Sequence, residues 1–467
     1  MFFRALFASF AIAAAPAAAQ VEVGDLGALD PWGLGYLAEG EPSLPSDFWR
    51  ASVAEDLLPL MNRARTSNLT PVERTLLRRV VLSPGARPGG DKEKDLLAER
   101  ARIMFDLGEA AAAADLMSRL EQSPTGLNSE EVAADLELAL GNEASACEKA
   151  ESPPNERPFW MKLRTVCFAL QDDFDRAALA IELAESQGVA DQWLWAAVLA
   201  ASGESPNRPD ARFETGLTLS ISAKSQLRPA TETATASRPD LAAAIARREA
   251  FTPDIRVQSA GAAAESGLID ASEHRAAYEA LLGVEGFNPG TALEAAVATA
   301  SNPDATLDDE GRTLASALAT AQGNPARYAA VSRLLKSDLD ALEPVDALDR
   351  YALRFARASL AAGDAAAATA WAASAAPEEG DEASSVDPFE VAWIEGLAIL
   401  AGLDRSEAEI AEVGARIAET ARGQAREAAA VKLFSPTHRP SRRSYRRSQI
   451  LRRKSIPPRP VPSTPPR

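Results

Sequence analysis

An all-α fold, an α-solenoid of antiparallel helical hairpins in two arrays with a disordered C-terminal tail, is what three features of this sequence predict. Apolar residues recur every three or four positions in segments of 10 to 17 residues, broken by Gly, Asp, Asn and Pro. Aromatic residues make up only 6% of the chain while alanine dominates a 46% hydrophobic composition, which suits thin layers of closely packed helices better than a wide core. A frame of helix, small or polar turn and Ala-rich helix returns at near-constant spacing.

The elements follow in order. The first 19 residues, MFFRALFASFAIAAAPAAA, combine Arg4, an apolar stretch from Leu6 to Ala15 and the small-residue run Ala17–Ala19. That is the pattern of a secretory signal peptide cleaved after Ala19, which predicts a periplasmic or secreted protein. No later stretch approaches 18 uninterrupted apolar residues, so no membrane span is expected in the mature chain. Residues 20–50 are rich in Gly, Pro and acids and read as an extended arm anchored by Trp32, Phe48 and Trp49.

Residues 51–203 form the first predicted array. Turns fall at Gly108 in FDLGEAAAAADLMSRL, Gly141 in LALGNEASACEKA, Gln171 in FALQDDFDRAALAIEL and Gly203 in LAASGESPN, steps of 33, 30 and 32 residues. LAAGDAAAATAWAASA repeats the frame around Gly363. In this frame the chain resembles the tetratricopeptide-like family of helix-turn-helix repeats, whose period is near 34 residues. The Trp-Leu-Gly-Tyr consensus and closing Pro are not cleanly present, so the match is to a degenerate solenoid. The chain also looks like exported helical-repeat proteins of Gram-negative bacteria. The resemblance implies a non-enzymatic scaffold or adaptor that binds an envelope protein or peptide along a concave helical surface.

Residues 204–239 are Ser/Thr/Pro-rich and read as an irregular connection; GLTLSIS alternates like one short strand. Helices resume over 240–430, interrupted by the acidic stretch 377–390, read as a solvated loop. Residues 431–467 contain 11 Lys or Arg, eight prolines and no acid, which forbids a packed core. This tail reads either as a disordered arm for an anionic surface polymer or as the product of a shifted reading frame. The segment 20–430 holds 37 bases against 67 acids, a net charge of −30, and repels nucleic acid.

Candidate sites are few. Trp160, Arg164, Trp193 and Trp195 occupy inner helical positions and are candidate binding residues, with core packing as the competing reading for the aromatics. Glu265–Ser266 resembles the Glu-Ser pair of lytic transglycosylases, which implies a cell-wall lytic enzyme as an alternative, with Glu265 as general acid in an apolar cleft. The downstream segment of that family is missing. The four acids of DATLDDEG are too closely spaced for a calcium loop and read as a helix N-terminus. Two histidines, His274 and His438, and two cysteines leave too few nitrogen and sulfur ligands for a zinc site. No cofactor is expected.

Cys147 and Cys167 lie on the apolar faces of consecutive helices, Cys167 on the stripe Trp160, Leu163, Leu170. An exported protein with two cysteines most simply pairs them. Helices ending near 151 and starting near 158 put one cysteine about 6 Å and the other about 14 Å from the loop, at 1.5 Å rise per residue. The loop SPPNERP must therefore run back about 7 Å for a disulfide to form. Two buried free thiols remain the other reading.

Overall fold

The computed structural model describes residues 30–152, 157–203, 208–230, 236, 238–375 and 386–421. The predicted leader, residues 20–29 of the arm, residues 153–156 of the loop between the cysteines, residues 377–385 of the acidic stretch and the basic tail lie outside the described residues.

The described chain is all-α. Its helices are, in order, α1 (Ala54–Met61), α2 (Pro71–Leu82), α3 (Glu93–Asp106), α4 (Ala110–Ser118), α5 (Ser129–Leu140), α6 (Glu143–Glu151), α7 (Pro158–Leu170), α8 (Phe174–Ser186), α9 (Gln192–Ala201), α10 (Gly216–Lys224) and α11 (Pro239–Arg247). They continue with α12 (Pro253–Glu265), α13 (Ala271–Leu282), α14 (Ala292–Ala300), α15 (Leu307–Ala321), α16 (Pro325–Leu334), α17 (Lys336–Ala341), α18 (Asp349–Ala361), α19 (Ala365–Ser374), α20 (Pro388–Leu400) and α21 (Glu407–Thr420). No β-strand occurs among the described residues; a lone bridge joins Val53 to Gly89.

From α2 onward each helix packs on its sequence neighbour, as a helical-repeat solenoid requires, while α1 packs on α3. The hairpins α3–α4, α5–α6 and α7–α8, with α9, form the first array. Their turns are set by residues in the left-handed region: Gly108, Gly141, Asp172 and Gly203. Asp172, at φ 61°, takes the turn position that the spacing assigns to Gln171. The later steps then equalise, 172 − 141 = 31 and 203 − 172 = 31. In the second array α15, α18 and α20 follow one another as first helices of hairpins, α18–α19 turning at Gly363 and α20–α21 at Gly402.

Short polar residues start the helices. Thr70 with Glu73, Asp270 with Glu273, Thr291 with Glu294 and Ser406 with Glu409 form reciprocal capping boxes, each satisfying two otherwise orphaned N–H groups and each cap contributing about 1 kcal/mol. Three of the four acids of DATLDDEG, Asp308, Asp309 and Glu310, stand in the first turn of α15 behind the cap Thr306, and Asp304 precedes it.

The arm over residues 30–50 is held by its tryptophans. Trp32 and Trp49 are buried, with ring centroids 5.6 Å apart, while Phe48 stays exposed. Arg100, wholly buried, donates to the carbonyls of Val81 at 2.7 Å, Leu34 at 3.0 Å and Ser83 at 3.1 Å. One guanidinium thus closes the C-terminal end of α2 onto the arm.

The stretch GLTLSIS, read as part of an irregular connection, is most of α10. Thr215 and Thr218 cap it reciprocally, and Gly216, Leu217, Leu219, Ser220, Ile221, Ser222 and Ala223 are all buried. A helix enclosed on every side has no polar face, so its apolar residues carry no 3.6-residue period. That is why alternation dominates the local pattern. The helix packs against α5, α7 and α9, the first helices of the first array, and against α11.

Candidate functional groove

Of the four predicted binding residues, Trp160 and Trp195 are buried, and Trp193 and Arg164 are half-buried. Trp160 is 1% exposed and Trp195 5%; both belong to the buried cluster that also contains Leu217, Leu219 and Ile221 of α10. The inner face on which they were expected to meet a ligand is filled by the chain itself. Trp193 is engaged by the connection that leads into α10: its Nε1 donates to the Asp210 carbonyl at 2.8 Å, and Arg212 stacks on its ring at 5.0 Å. Arg164 donates from Nε to the Ala150 carbonyl at 3.1 Å, at the end of α6.

Cys147 and Cys167 form a disulfide with Cα atoms 5.5 Å apart. The Arg164–Ala150 contact reports the same antiparallel register, since 147 + 167 and 150 + 164 both equal 314. In that register residue 151 stands opposite residue 163, so α7 starts five residues beyond the end of α6. At 1.5 Å per residue this overhang is about 7 Å, the run the loop has to supply.

Glu265 lies at the end of α12, before the turn at Gly267, and lines a cleft of about 380 Å³ where α2, α11, α12 and α16 meet. Its carboxylate accepts from Arg327 Nε at 2.8 Å, so the group is committed to an ion pair rather than to apolar walls. It is the one carboxylate among the described residues lining the cleft. A second cleft, of about 600 Å³, lies where the N-terminal arm meets α3 and the end of α4. Its rim charges neutralise one another, Arg87 with Glu93 at 3.2 Å and Lys94 with Glu121 at 2.6 Å.

The third cleft is of another kind. A half-open groove of about 400 Å³ is lined, among the described residues, by α18 and α20. Arg357, Leu360 and Ala361 supply one wall; Phe389, Trp393 and Leu397, with Ile394, supply the other. The spacings are i, i+3, i+4 and i, i+4, i+8, so each wall is one helical face. Phe389 and Trp393 stack with centroids 5.6 Å apart and ring planes 18° apart. At one end Arg357 donates to Glu390 at 2.6 Å. The rest of the lining is apolar, the usual make-up of a binding cleft.

Comparisons of the chain with known protein families, with curated proteins and with solved structures return no match. The groove is therefore read from its own residues. Its sequence signal was present in PFEVAWIEGLAIL as the spacing of Phe389, Trp393 and Leu397, but α20 is apolar on nearly every face, and one stripe does not stand out from such a segment.

Proposed function

We propose that this chain is an exported, periplasmic or secreted, non-enzymatic scaffold or adaptor of the tetratricopeptide-like kind, and that it holds a segment of an envelope protein in the groove between α18 and α20. One observation carries the reading. The first array closes its inner face with α10, whereas the corresponding pair of first helices in the second array has an apolar, aromatic-lined groove that none of the described helices fills. Apolar area of this kind gains about 25 cal/mol per Å² when a partner covers it. The leader-like N-terminus and the Cys147–Cys167 pair favour export to an oxidising compartment. The ion pair at Glu265 favours a binding role over cell-wall hydrolysis.

The test is capture from envelope extract by the wild-type chain and by the Leu360→Arg and Trp393→Ala variants in parallel. A protein retained by the wild type and lost from both variants supports the reading. Equal retention by all three rejects this groove. Clearing of peptidoglycan by the purified protein, abolished in Glu265→Gln, would replace the reading with the lytic one.

A further inference from the structure

The first array shows what the inner face of such a hairpin stack accepts. Its occupant is α10, a nine-residue helix. Two properties make a helix fit there. Its backbone N–H and C=O groups bond to one another, so the walls need offer almost no hydrogen-bond partners. Its orphaned N-terminal N–H groups are met by its own cap Thr215, which accepts from Thr218 N at 3.1 Å, and by one wall residue, Asp135 of α5, which accepts from Leu217 N at 3.0 Å. Contact with α5 is made through small residues. A Cβ on Gly216 would collide with the carbonyl oxygen of Asp135, and Ser220, one turn on, donates to the Leu138 carbonyl at 2.8 Å.

The open groove makes the same demand on its occupant. Leu360, Ala361, Phe389, Trp393, Ile394 and Leu397 offer no side-chain hydrogen bonds beyond the Trp393 indole N–H. An extended peptide laid against them would bury its main-chain groups without partners, at a cost of one to several kcal/mol each, whereas a helix would not. The polar groups sit at one end only, in the Arg357–Glu390 pair. The walls differ from those of the first groove in one respect: wide side chains line them. A helix seated there is held away from the wall backbones, and its contact face needs aliphatic side chains that reach down, not glycine.

We infer that the α18–α20 groove takes a short amphipathic helix of a partner protein, presenting Leu, Ile or Met at i and i+4 between the two walls. This rests on the binding reading above and adds the conformation and contact face of the partner.

Panning a phage-displayed library of random 16-residue peptides on the full-length protein tests it. Enriched peptides are then synthesised and titrated by fluorescence anisotropy against wild type and Leu360→Arg, with circular dichroism confirming that the variant is folded. The expected result is a set of peptides with aliphatic residues at i, i+4 spacing that gain helical signal on binding. They weaken at least tenfold on Leu360→Arg, and at least tenfold when one central residue is changed to Pro. Peptides that depend on Leu360 yet tolerate the central Pro would overturn the helical partner and leave the groove as a binding site. Enrichment with no dependence on Leu360, or no enrichment at all, would overturn both.

Discussion

The Asp135 carboxylate accepts the backbone N–H of Leu217, 82 residues further along the chain, at 3.0 Å, and stands 3.5 Å from the Arg238 guanidinium. Three elements meet at this group: α5, the start of α10 and the start of α11. Burial pushes the carboxyl pKa up, while the N–H groups of Gly216 and Leu217 and the charge of Arg238 act against that shift. Removing the carboxylate leaves two N–H groups and part of a guanidinium without partners in the interior. Asp135→Ala is expected to cost about 3 kcal/mol, read as a lower urea midpoint. Asp135→Asn, which still accepts from an N–H, should lose clearly less. Equal losses would mean that packing rather than the carboxylate seats α10.

The disulfide provides a second test. Cys147 and Cys167 are 20 residues apart, a loop whose closure restricts the unfolded chain by about 3 kcal/mol. The Cys147→Ser, Cys167→Ser double variant should therefore melt lower than the oxidised protein. Reduction should shift the wild type on a denaturing gel and leave the variant unmoved. An unchanged melting temperature would show that the Arg164–Ala150 contact and the apolar seam hold the register unaided.

Much of this architecture was legible in the sequence. Gly108, Gly141, Gly203 and Gly363 mark turns because each adopts a backbone conformation that residues with a side chain resist. Rise per residue and loop length stated the condition for Cys147 and Cys167 to pair, and left open whether the loop met it. The filling of the first groove was not legible, because Leu217, Leu219 and Ile221 alternate within a Ser/Thr-rich stretch and a fully buried helix has no polar face to show. Trp160 and Trp195 pack in the core, the reading that competed with binding for these aromatics; a helical stripe shows that a face is covered, not by what.

His274 carries a pH prediction. It is buried at 2% exposure, its two ring nitrogens lack partners, and its ring packs 5.6 Å from that of Tyr278. Burial first, and the charge of Arg333 second, lower its pKa to about 4. An unfolded histidine titrates near 6.5, so between pH 6.5 and 4 the unfolded chain binds a proton that the folded chain refuses. Stability from this group is complete above pH 6.5 and declines through that window, by about 3 kcal/mol in all. In urea melts at stepped pH, His274→Phe should show a shallower decline than wild type between pH 6.5 and 4. Parallel curves would place the acid sensitivity elsewhere.

Arg100 should act as the latch of the N-terminal arm. With its three carbonyl acceptors freed, Arg100→Met is expected to lose about 3 kcal/mol and to open the arm to limited proteolysis within residues 33–50. Lysine keeps the charge but offers no planar fork to span Leu34, Val81 and Ser83. Arg100→Lys should therefore resemble Arg100→Met more than wild type, and full recovery in Arg100→Lys would show that charge alone holds the arm.

The turn at Asp172 ties the repeat frame to the filled groove. Its φ of 61° costs a side-chain-bearing residue about 1 kcal/mol relative to glycine. Its carboxylate also pairs at 2.6 Å with Lys224, at the C-terminal end of α10, a largely exposed contact contributing up to about 1 kcal/mol. The two effects oppose each other in Asp172→Gly, which should leave stability nearly unchanged. In a Lys224→Met background the ion pair is already gone, and the same substitution should stabilise by about 1 kcal/mol. The difference between the two backgrounds is the coupling between turn and α10. If Asp172→Gly stabilises equally in both, the ion pair contributes nothing and α10 is seated by Asp135 and its small-residue face alone.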